Sequence, residues 1–140
     1  MGEDIRLKSA AGEIGAYLAK PAGTPKGGIV VVQEIFGVNQ HIRKVTDFFA
    51  SQGYLALAPR FFDHIKPGIE LGYTPDTIAE GRGYVMSMGV DKPVQDVDAA
   101  IGGHDVRYRR ADLHRIGQVA HHAKRGAAGG LDVGHHPRDI

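Results

Sequence analysis

The chain of 140 residues contains no cysteine and no tryptophan. Without cysteine, it has no disulfide, no thiolate metal site and no cysteine nucleophile of its own. It also lacks an apolar run of membrane-spanning length, and its charged start from Glu3 to Lys8 has no apolar signal region. We therefore expect a cytoplasmic protein that has no membrane partner.

A large excess of charge of one sign is also missing, since the formal net charge is +1. The tail after Ile101 is basic, but aspartates interrupt it and aromatic stacking residues are nearly absent, so no nucleic-acid partner is expected. The pairs His121-His122 and His135-His136 have no carboxylate at the helical spacing of a zinc motif. The sequence therefore predicts no metal site.

The chain is organised around the segment from Gly27 to Gly37, with the sequence GGIVVVQEIFG. Its unbroken β-branched run predicts a strand buried on both faces, as in a parallel sheet covered by helices. Ligands of open α/β sheets bind at the carboxyl ends of strands, so Glu34 lies where a functional acid is expected. Without the surrounding motif, a glutamate that ends a strand is more often a solvated or capping acid.

Local signals predict elements on both sides of this strand. Polar and apolar residues alternate over residues 3–8 and 13–19, which predicts a β-hairpin. A helix is predicted from an Asn39 cap to Gly53, followed by a strand over residues 54–58, so that residues 27–58 form a right-handed βαβ unit. The apolar face predicted for this helix consists of Ile42, Val45, Phe48 and Phe49.

The next part of the chain is predicted to be a loop over residues 60–74 and then two helices. The first helix starts at Thr74-Pro75, with Gly81 and Gly83 weakening its interior, and the second starts at Asp91-Lys92-Pro93. Phe61, Phe62 and Tyr84 are predicted to pack in the core or in a pocket wall. The amphipathic pattern of the second helix consists of Val94, Val97, Asp98, Ala100 and Ile101.

The composition changes at Gly102. Residues 102–140 contain six of the eight histidines, no phenylalanine and hardly any apolar periodicity. The sequence therefore predicts an α/β domain over residues 1–101 and an irregular tail over residues 102–140, which we expect to be disordered.

Three segments carry a resemblance to a known family: residues 33–39 (QEIFGVN), 41–43 (HIR) and 52–59 (QGYLALAP). Together with residues 67–73 and 97–101, their order and spacing over residues 3–101 resemble the N-terminal part of the dienelactone hydrolase family, a branch of the α/β-hydrolase superfamily. The resemblance implies an α/β class and a partial α/β-hydrolase fold, made of the hairpin, the βαβ unit and the following helices. It also implies hydrolysis of a small ester or lactone without a cofactor.

The Cys-His-Asp triad of that family is missing from this sequence. The family's nucleophile belongs to a G-x-C-x-G elbow after the fifth strand, and none of Ser9, Ser51 and Ser87 has that surrounding sequence. One hypothesis for the break at Gly102 is an out-of-frame reading of a GC-rich gene. It fails if neither other frame of the DNA after the Ile101 codon continues into a strand and such an elbow.

The resemblance assigns to this chain residues that support a nucleophile. Glu34 matches a glutamate that contacts the nucleophile and controls its ionisation. The backbone N–H of Ile35 matches one arm of the oxyanion hole, and Arg82 is matched to an arginine that binds the substrate carboxylate. Arg60 departs from the family, in which an acidic residue usually follows Ala-Pro.

Two functional classes stay open. The first is a carboxylic ester hydrolase by family, which is truncated and inactive as it stands. The second is a non-catalytic αβ binding module that takes a partner or a small carboxylate through Glu34 and Arg82. The family's fifth strand has no counterpart here, so the strand over residues 28–34 is expected at a sheet edge, where it favours self-association.

Overall fold

A computed structural model describes residues 1–107 of the chain, with side chains through residue 102. The strands are β1 (Glu3–Ser9), β2 (Gly12–Ala19), β3 (Gly28–Val30) and β4 (Leu55–Pro59). The helices are α1 (Gln40–Ser51), α2 (Pro75–Met88) and α3 (Asp91–Arg107), and a short 3-10 helix spans Phe61–His64. The strands form one mixed sheet in the order β1-β2-β4-β3. The predicted α/β class and partial hydrolase fold are therefore confirmed.

The connectivity of the sheet follows from a hairpin and a crossover. β1 and β2 pair antiparallel from Glu3↔Leu18 to Ser9↔Gly12, and β2 pairs antiparallel with β4. β3 pairs parallel with β4 in the register Ile29↔Ala56, with α1 as the crossover between them. The predicted hairpin and βαβ unit are both present.

The sheet has a helix on each face. Side chains alternate between the faces with a period of two residues, so β4 directs Leu55 and Leu57 to one side and Ala58 to the other. The side that holds Ala100 of α3 also contains Leu7, Ile14, Ala16 and Leu18, and the side that holds Ile42 of α1 also contains Tyr17, Val31 and Val38. The phenol of Tyr17 donates to Asp47 of α1 at 3.0 Å, which ties α1 to the sheet.

Helix ends occur where local chemistry predicts them. The side chain of Asn39 accepts from the Ile42 N–H at 3.2 Å and caps α1, which ends before Gly53 with its φ of 96°. Thr74 caps α2 in a reciprocal capping box with Thr77. These bonds satisfy backbone groups that a helix end otherwise leaves without partners.

β3 differs from the prediction of a long strand buried on both faces. It ends at Val30, with one further sheet bond from the Val31 N–H to Leu57 O at 2.8 Å, and Val32 is 57% exposed. The cause is its place at the end of the strand order, which leaves its second side without a neighbour in the described sheet. Among the described strands, β3 lies at an edge of the sheet, as predicted.

In two helices, some residues of the predicted apolar face are exposed. Phe48 of α1 is 57% exposed, although it was predicted on the buried face. In α3, Val94 and Ile101 are exposed, whereas Asp96 and Ala100 are fully buried. Asp96 is accommodated in the interior because Ser9 of β1 and His64 form hydrogen bonds with its carboxylate, and apolar spacing does not encode these contacts.

The segment after β4 is more ordered than the predicted loop. Its 3-10 helix buries Phe61 and Phe62, and the Phe62 ring lies 5.4 Å from that of Tyr84 between centroids. These phenylalanines therefore belong to the core, as predicted.

α3 continues to Arg107 and so crosses the predicted boundary at residue 101. The rest of the predicted tail, including both histidine pairs, lies outside the described residues. Within the described part, no helix combines the length and the apolar character needed to cross a membrane.

Candidate functional site

The candidate site is the turn from Glu34 to Gly37, beyond the carboxyl end of β3. The Gly37 N–H donates to Glu34 O at 3.2 Å and closes the turn, and Gly37 has a φ of 79°. A residue with a side chain is strained at such a φ. The turn therefore depends on glycine at position 37.

Two backbone contacts hold this turn from opposite sides. A Cβ on Gly37 would lie 2.3 Å from Ile69 O, and a Cβ on Gly81 of α2 would lie 2.1 Å from Ile35 O. Both distances are far shorter than a real contact between these atoms. Gly37 and Gly81 therefore allow the loop before α2, and α2 itself, to lie directly against the turn. The sequence indicates that Gly81 weakens the interior of its helix, but it does not indicate this contact.

Aromatic residues reinforce the cover over the turn. Phe36 and Tyr73 meet edge to face with ring centroids 4.5 Å apart, and the Leu71 N–H donates to Phe36 O at 2.9 Å. The Tyr73 hydroxyl also accepts from Asn39 Nδ2 at 3.1 Å. The turn is thus connected to the cap of α1, a contact that the resemblance over residues 67–73 does not indicate.

The Ile35 N–H is an available donor. Among the described residues it makes no hydrogen bond, whereas Glu34 O accepts from both Gly37 N–H and Gln33 Nε2, the latter at 3.3 Å. An unpartnered backbone donor on a held turn is the arrangement that stabilises a developing oxyanion. The geometry is compatible with the oxyanion role that the resemblance implies for Ile35.

The side chains of Glu34 and Arg82 are exposed, and neither forms a hydrogen bond or ion pair with another residue in the described range. Arg82 directly follows Gly81, so its backbone lies next to the turn, but the two charged side chains form no ion pair with each other. The structure thus brings α2 and the turn together. It leaves both charged groups accessible to a ligand.

Arg60 replaces an acidic residue of the family and organises its own charge network. Its guanidinium donates to Asp4 at 2.7 Å and to Glu70 at 3.1 Å, and Glu70 also pairs with Arg43. Burial opposes the charge on Arg60, but the bonds to Asp4 and Glu70 outweigh it and raise the pKa of Arg60 above its ordinary value. The network ties the loop before α2 to β1, and its charges are paired within the chain.

The three serines have structural partners. Ser51 and Ser87 donate to the carbonyls of Phe48 and Tyr84 in their own helices, at 2.6 and 3.0 Å. Ser9 donates to Asp96 Oδ1 at 2.6 Å, and His64 Nε2 lies 2.7 Å from Asp96 Oδ2. In a hydrolytic triad the histidine lies between the serine and the acid, whereas here Asp96 lies between Ser9 and His64. This buried cluster is therefore not a hydrolytic triad.

No metal centre is formed by the part of the chain that the structure describes, since no three of its histidine, aspartate or glutamate side chains converge on one point.

Comparisons with known proteins agree with this arrangement. The sequence profile of the dienelactone hydrolase family matches residues 14–119. A carboxymethylenebutenolidase from Pseudomonas putida is 33% identical over 120 residues, which are 84% of this chain and 48% of that protein. A Synechocystis relative is 42% identical over 90 residues, 64% of this chain and 37% of that protein. The chain thus spans less than half the length of these curated relatives.

A solved structure gives the same result. A Klebsiella pneumoniae protein that bears a dienelactone hydrolase name superposes with a TM-score of 0.62 and 28% identity, over 76% of this chain and 44% of that protein. The matched profile covers most of the 140 residues, including the turn, α2, β3 and β4. The chain belongs to the dienelactone hydrolase family.

Proposed function

We propose that this chain forms the supporting half of a site that hydrolyses small carboxylic esters or lactones. The observation that carries the proposal is the unpartnered Ile35 N–H on the closed turn after β3, in a member of the dienelactone hydrolase family. A donor held in this way stabilises the oxyanion that forms when an ester or lactone carbonyl is attacked.

Three groups of the chain have roles in this proposal. The Ile35 N–H polarises the substrate carbonyl, and Glu34 receives the proton of a nucleophile and keeps that nucleophile ionised. Arg82 binds a carboxylate on the substrate through its planar guanidinium. The exposure of Glu34 and Arg82, and their lack of partners among the described residues, supports both roles.

The sequence of 140 residues contains no cysteine, and its serines lack the environment of a nucleophile. Covalent acyl transfer requires a nucleophile, so the chain as it stands is expected to bind a lactone without hydrolysing it. The alternative class, a non-catalytic binding module, is favoured by one observation: Arg82 has no partner among the described residues, so its guanidinium can bind a carboxylate without any catalytic step.

An NMR titration tests the proposed site in the full chain. We expect an unsaturated five-membered lactone with a carboxylate substituent to shift the Ile35 amide resonance, and the uncarboxylated lactone to shift it more weakly. Arg82→Gln is expected to remove the difference between the two ligands, because only the carboxylate needs the guanidinium. Lys92→Gln, at an exposed position of α3, is the control and should leave the difference intact.

Hydrolysis of the same lactone and of p-nitrophenyl acetate is followed in parallel. We expect no turnover above the blank for the wild type and for Glu34→Gln. Turnover that Glu34→Gln removes would contradict the predicted inactivity while supporting the site. An Ile35 amide that neither lactone shifts at millimolar concentration would rule out the proposed oxyanion donor.

We also propose that the chain associates with itself through β3. Residues 27–32 contain no charge and no proline, whereas β1 at the other edge carries Glu3, Asp4, Arg6 and Lys8. Charged residues and prolines are the usual protection of a strand edge, so of the two edges of the described sheet, β3 is the one that offers itself to another strand. The second copy offers the same uncharged strand, and antiparallel pairing of the two satisfies the backbone groups of both.

Sedimentation velocity at increasing protein concentration tests this association. Val32 and Phe48 are both 57% exposed, but only Val32 continues from β3. We expect Val32→Lys to shift the population towards monomer, because a charge would have to be desolvated at the new interface, and Phe48→Lys to leave it unchanged. A wild-type chain that stays monomeric, or an equal effect of both variants, would contradict the proposal.

A further inference from the structure

Gln33 is the residue before the turn, and the two polar atoms of its side-chain amide have different hydrogen-bond environments. Its Nε2 donates to Glu34 O at 3.3 Å. Its Oε1 is buried and has no hydrogen-bond partner among the described residues. A buried acceptor without a partner is destabilising, so Oε1 does not explain why a glutamine is favourable at this position. The donor end is the part that makes a specific bond.

We propose that Gln33 is a positioning residue that orients the Ile35 N–H. This inference rests on the proposed role of Ile35 as an oxyanion donor, and it concerns how that donor is aimed. Gln33 does not touch the substrate in this proposal. It acts through the carbonyl of Glu34.

The coupling between the two groups is covalent. Glu34 C=O and Ile35 N–H belong to the same peptide unit, and the described chain contains no cis peptide bond. In a planar trans peptide the carbonyl and the N–H point in opposite directions. Fixing the direction of Glu34 C=O therefore fixes the direction of Ile35 N–H.

Two donors hold that carbonyl, and they have different origins. The Gly37 N–H, at 3.2 Å, comes from the turn itself, and Gln33 Nε2 comes from the residue before it. On the other side of the turn, Gly81 confines the next carbonyl, Ile35 O, by close approach. The peptide unit that carries the Ile35 N–H is thus restrained by a side-chain bond as well as by backbone contacts.

If the side-chain amide of Gln33 were flipped, its hydrogen bond to Glu34 O would be lost. Exchanging Oε1 and Nε2 would bring two acceptor oxygens together at Glu34 O. The orientation with Nε2 on Glu34 O is therefore the favoured one.

Orientation of the Ile35 N–H is measured directly by residual dipolar couplings of the 15N-labelled full chain, without any ligand. Gln33→Met has nearly the same length and removes both the donor and the unpaired acceptor. We expect it to change the Ile35 coupling and to raise the exchange rate of the Gly37 amide several-fold, while the couplings of α1 and β4 stay constant. Its melting temperature is expected to equal or exceed that of the wild type.

Two further variants complete the test. Gln33→Glu keeps the shape of the side chain but has no Nε2 donor, so it is expected to change the Ile35 coupling in the same way. Gln95→Met, at an exposed position of α3, should leave that coupling unchanged. The proposal is overturned if both Gln33 variants leave the Ile35 coupling unchanged, or if the couplings of α1 and β4 change together with it, since Gln33 would then support the fold in general.

The outcome separates this inference from the proposed function. A changed Ile35 coupling supports positioning by Gln33 even if no lactone shifts the Ile35 amide, in which case only the oxyanion role fails. If a lactone shifts the Ile35 amide equally in wild type and Gln33→Met, and the coupling is unchanged, the oxyanion donor stands and the positioning role fails.

Discussion

Replacing Gly81 with alanine is expected to destabilise the chain by about 1–3 kcal/mol, the range for forcing an extra carbon into a closely packed site. The added Cβ would lie 2.1 Å from Ile35 O and 3.0 Å from Ile35 C. Both are backbone atoms, which cannot rotate away as the end of a side chain can. Either α2 moves outwards or the Glu34–Gly37 turn is displaced, and both changes weaken the packing between them.

Gly83 provides a matched control in the same helix. It is exposed, and a Cβ at this position would meet no atom within 4 Å. Because alanine has the higher helix propensity, Gly83→Ala is expected to stabilise the chain by about 0.5–1 kcal/mol. Urea unfolding followed by circular dichroism measures both variants, and their effects should have opposite signs. Equal effects would mean that helix propensity, and not contact with Ile35, governs position 81.

The two glycines illustrate which features of this protein could be predicted from sequence. Helix caps, turns and strand order depend on residues that are close along the chain or on the family motif. The Asn39 cap and the helix start at Thr74-Pro75 were therefore predicted, and the edge position of β3 in the described sheet followed from the resemblance. In contrast, Gly81 and Gly83 look alike in sequence, and only the packing of α2 on Ile35 separates them.

Some features of the candidate site could likewise be predicted from sequence, whereas others could not. Glu34 and Ile35 were predicted because they lie within one motif at the end of one strand. The contacts that hold the turn come from distant segments, namely Ile69, Tyr73 and Gly81, and no local pattern indicates them. Arg60 was recognised as a departure from the family, but its partners Asp4 and Glu70 are known only from the structure.

α3 shows where apolar spacing predicts the buried face only in part, since Ala100 is buried as the pattern predicts. Val94 and Ile101 continue the apolar pattern, yet they are exposed, while Asp96 is fully buried. A buried acid is stabilised only if its oxygens have hydrogen-bond partners. Here Ser9 bonds to Oδ1 of Asp96, and His64 bonds to Oδ2. Both partners lie far from Asp96 in the sequence, so the burial of Asp96 depends on tertiary structure.

Asp96→Ala is expected to be the most destabilising substitution proposed for α3. It leaves His64, whose side chain is 7% exposed, without its partner in a buried environment. Leaving a buried polar group without its hydrogen-bond partner costs about 1–3 kcal/mol. Asp98→Ala is the control: it removes a carboxylate from an exposed position two residues later in α3, and its effect is expected to stay within about 0.5 kcal/mol.

The contribution of the His64 contact is isolated by a double-mutant cycle with Asp96→Ala and His64→Ala, measured by urea unfolding. Residues in direct contact give a coupling of about 0.5–3 kcal/mol, and we expect a favourable value in this range. Strictly additive effects would show that the two side chains stabilise the chain independently. Equal losses in Asp96→Ala and Asp98→Ala would show that helix charge, and not the buried cluster, determines the effect. A large difference between them, together with a favourable coupling, would mean that the buried contact between Asp96 and His64 stabilises the packing of α3.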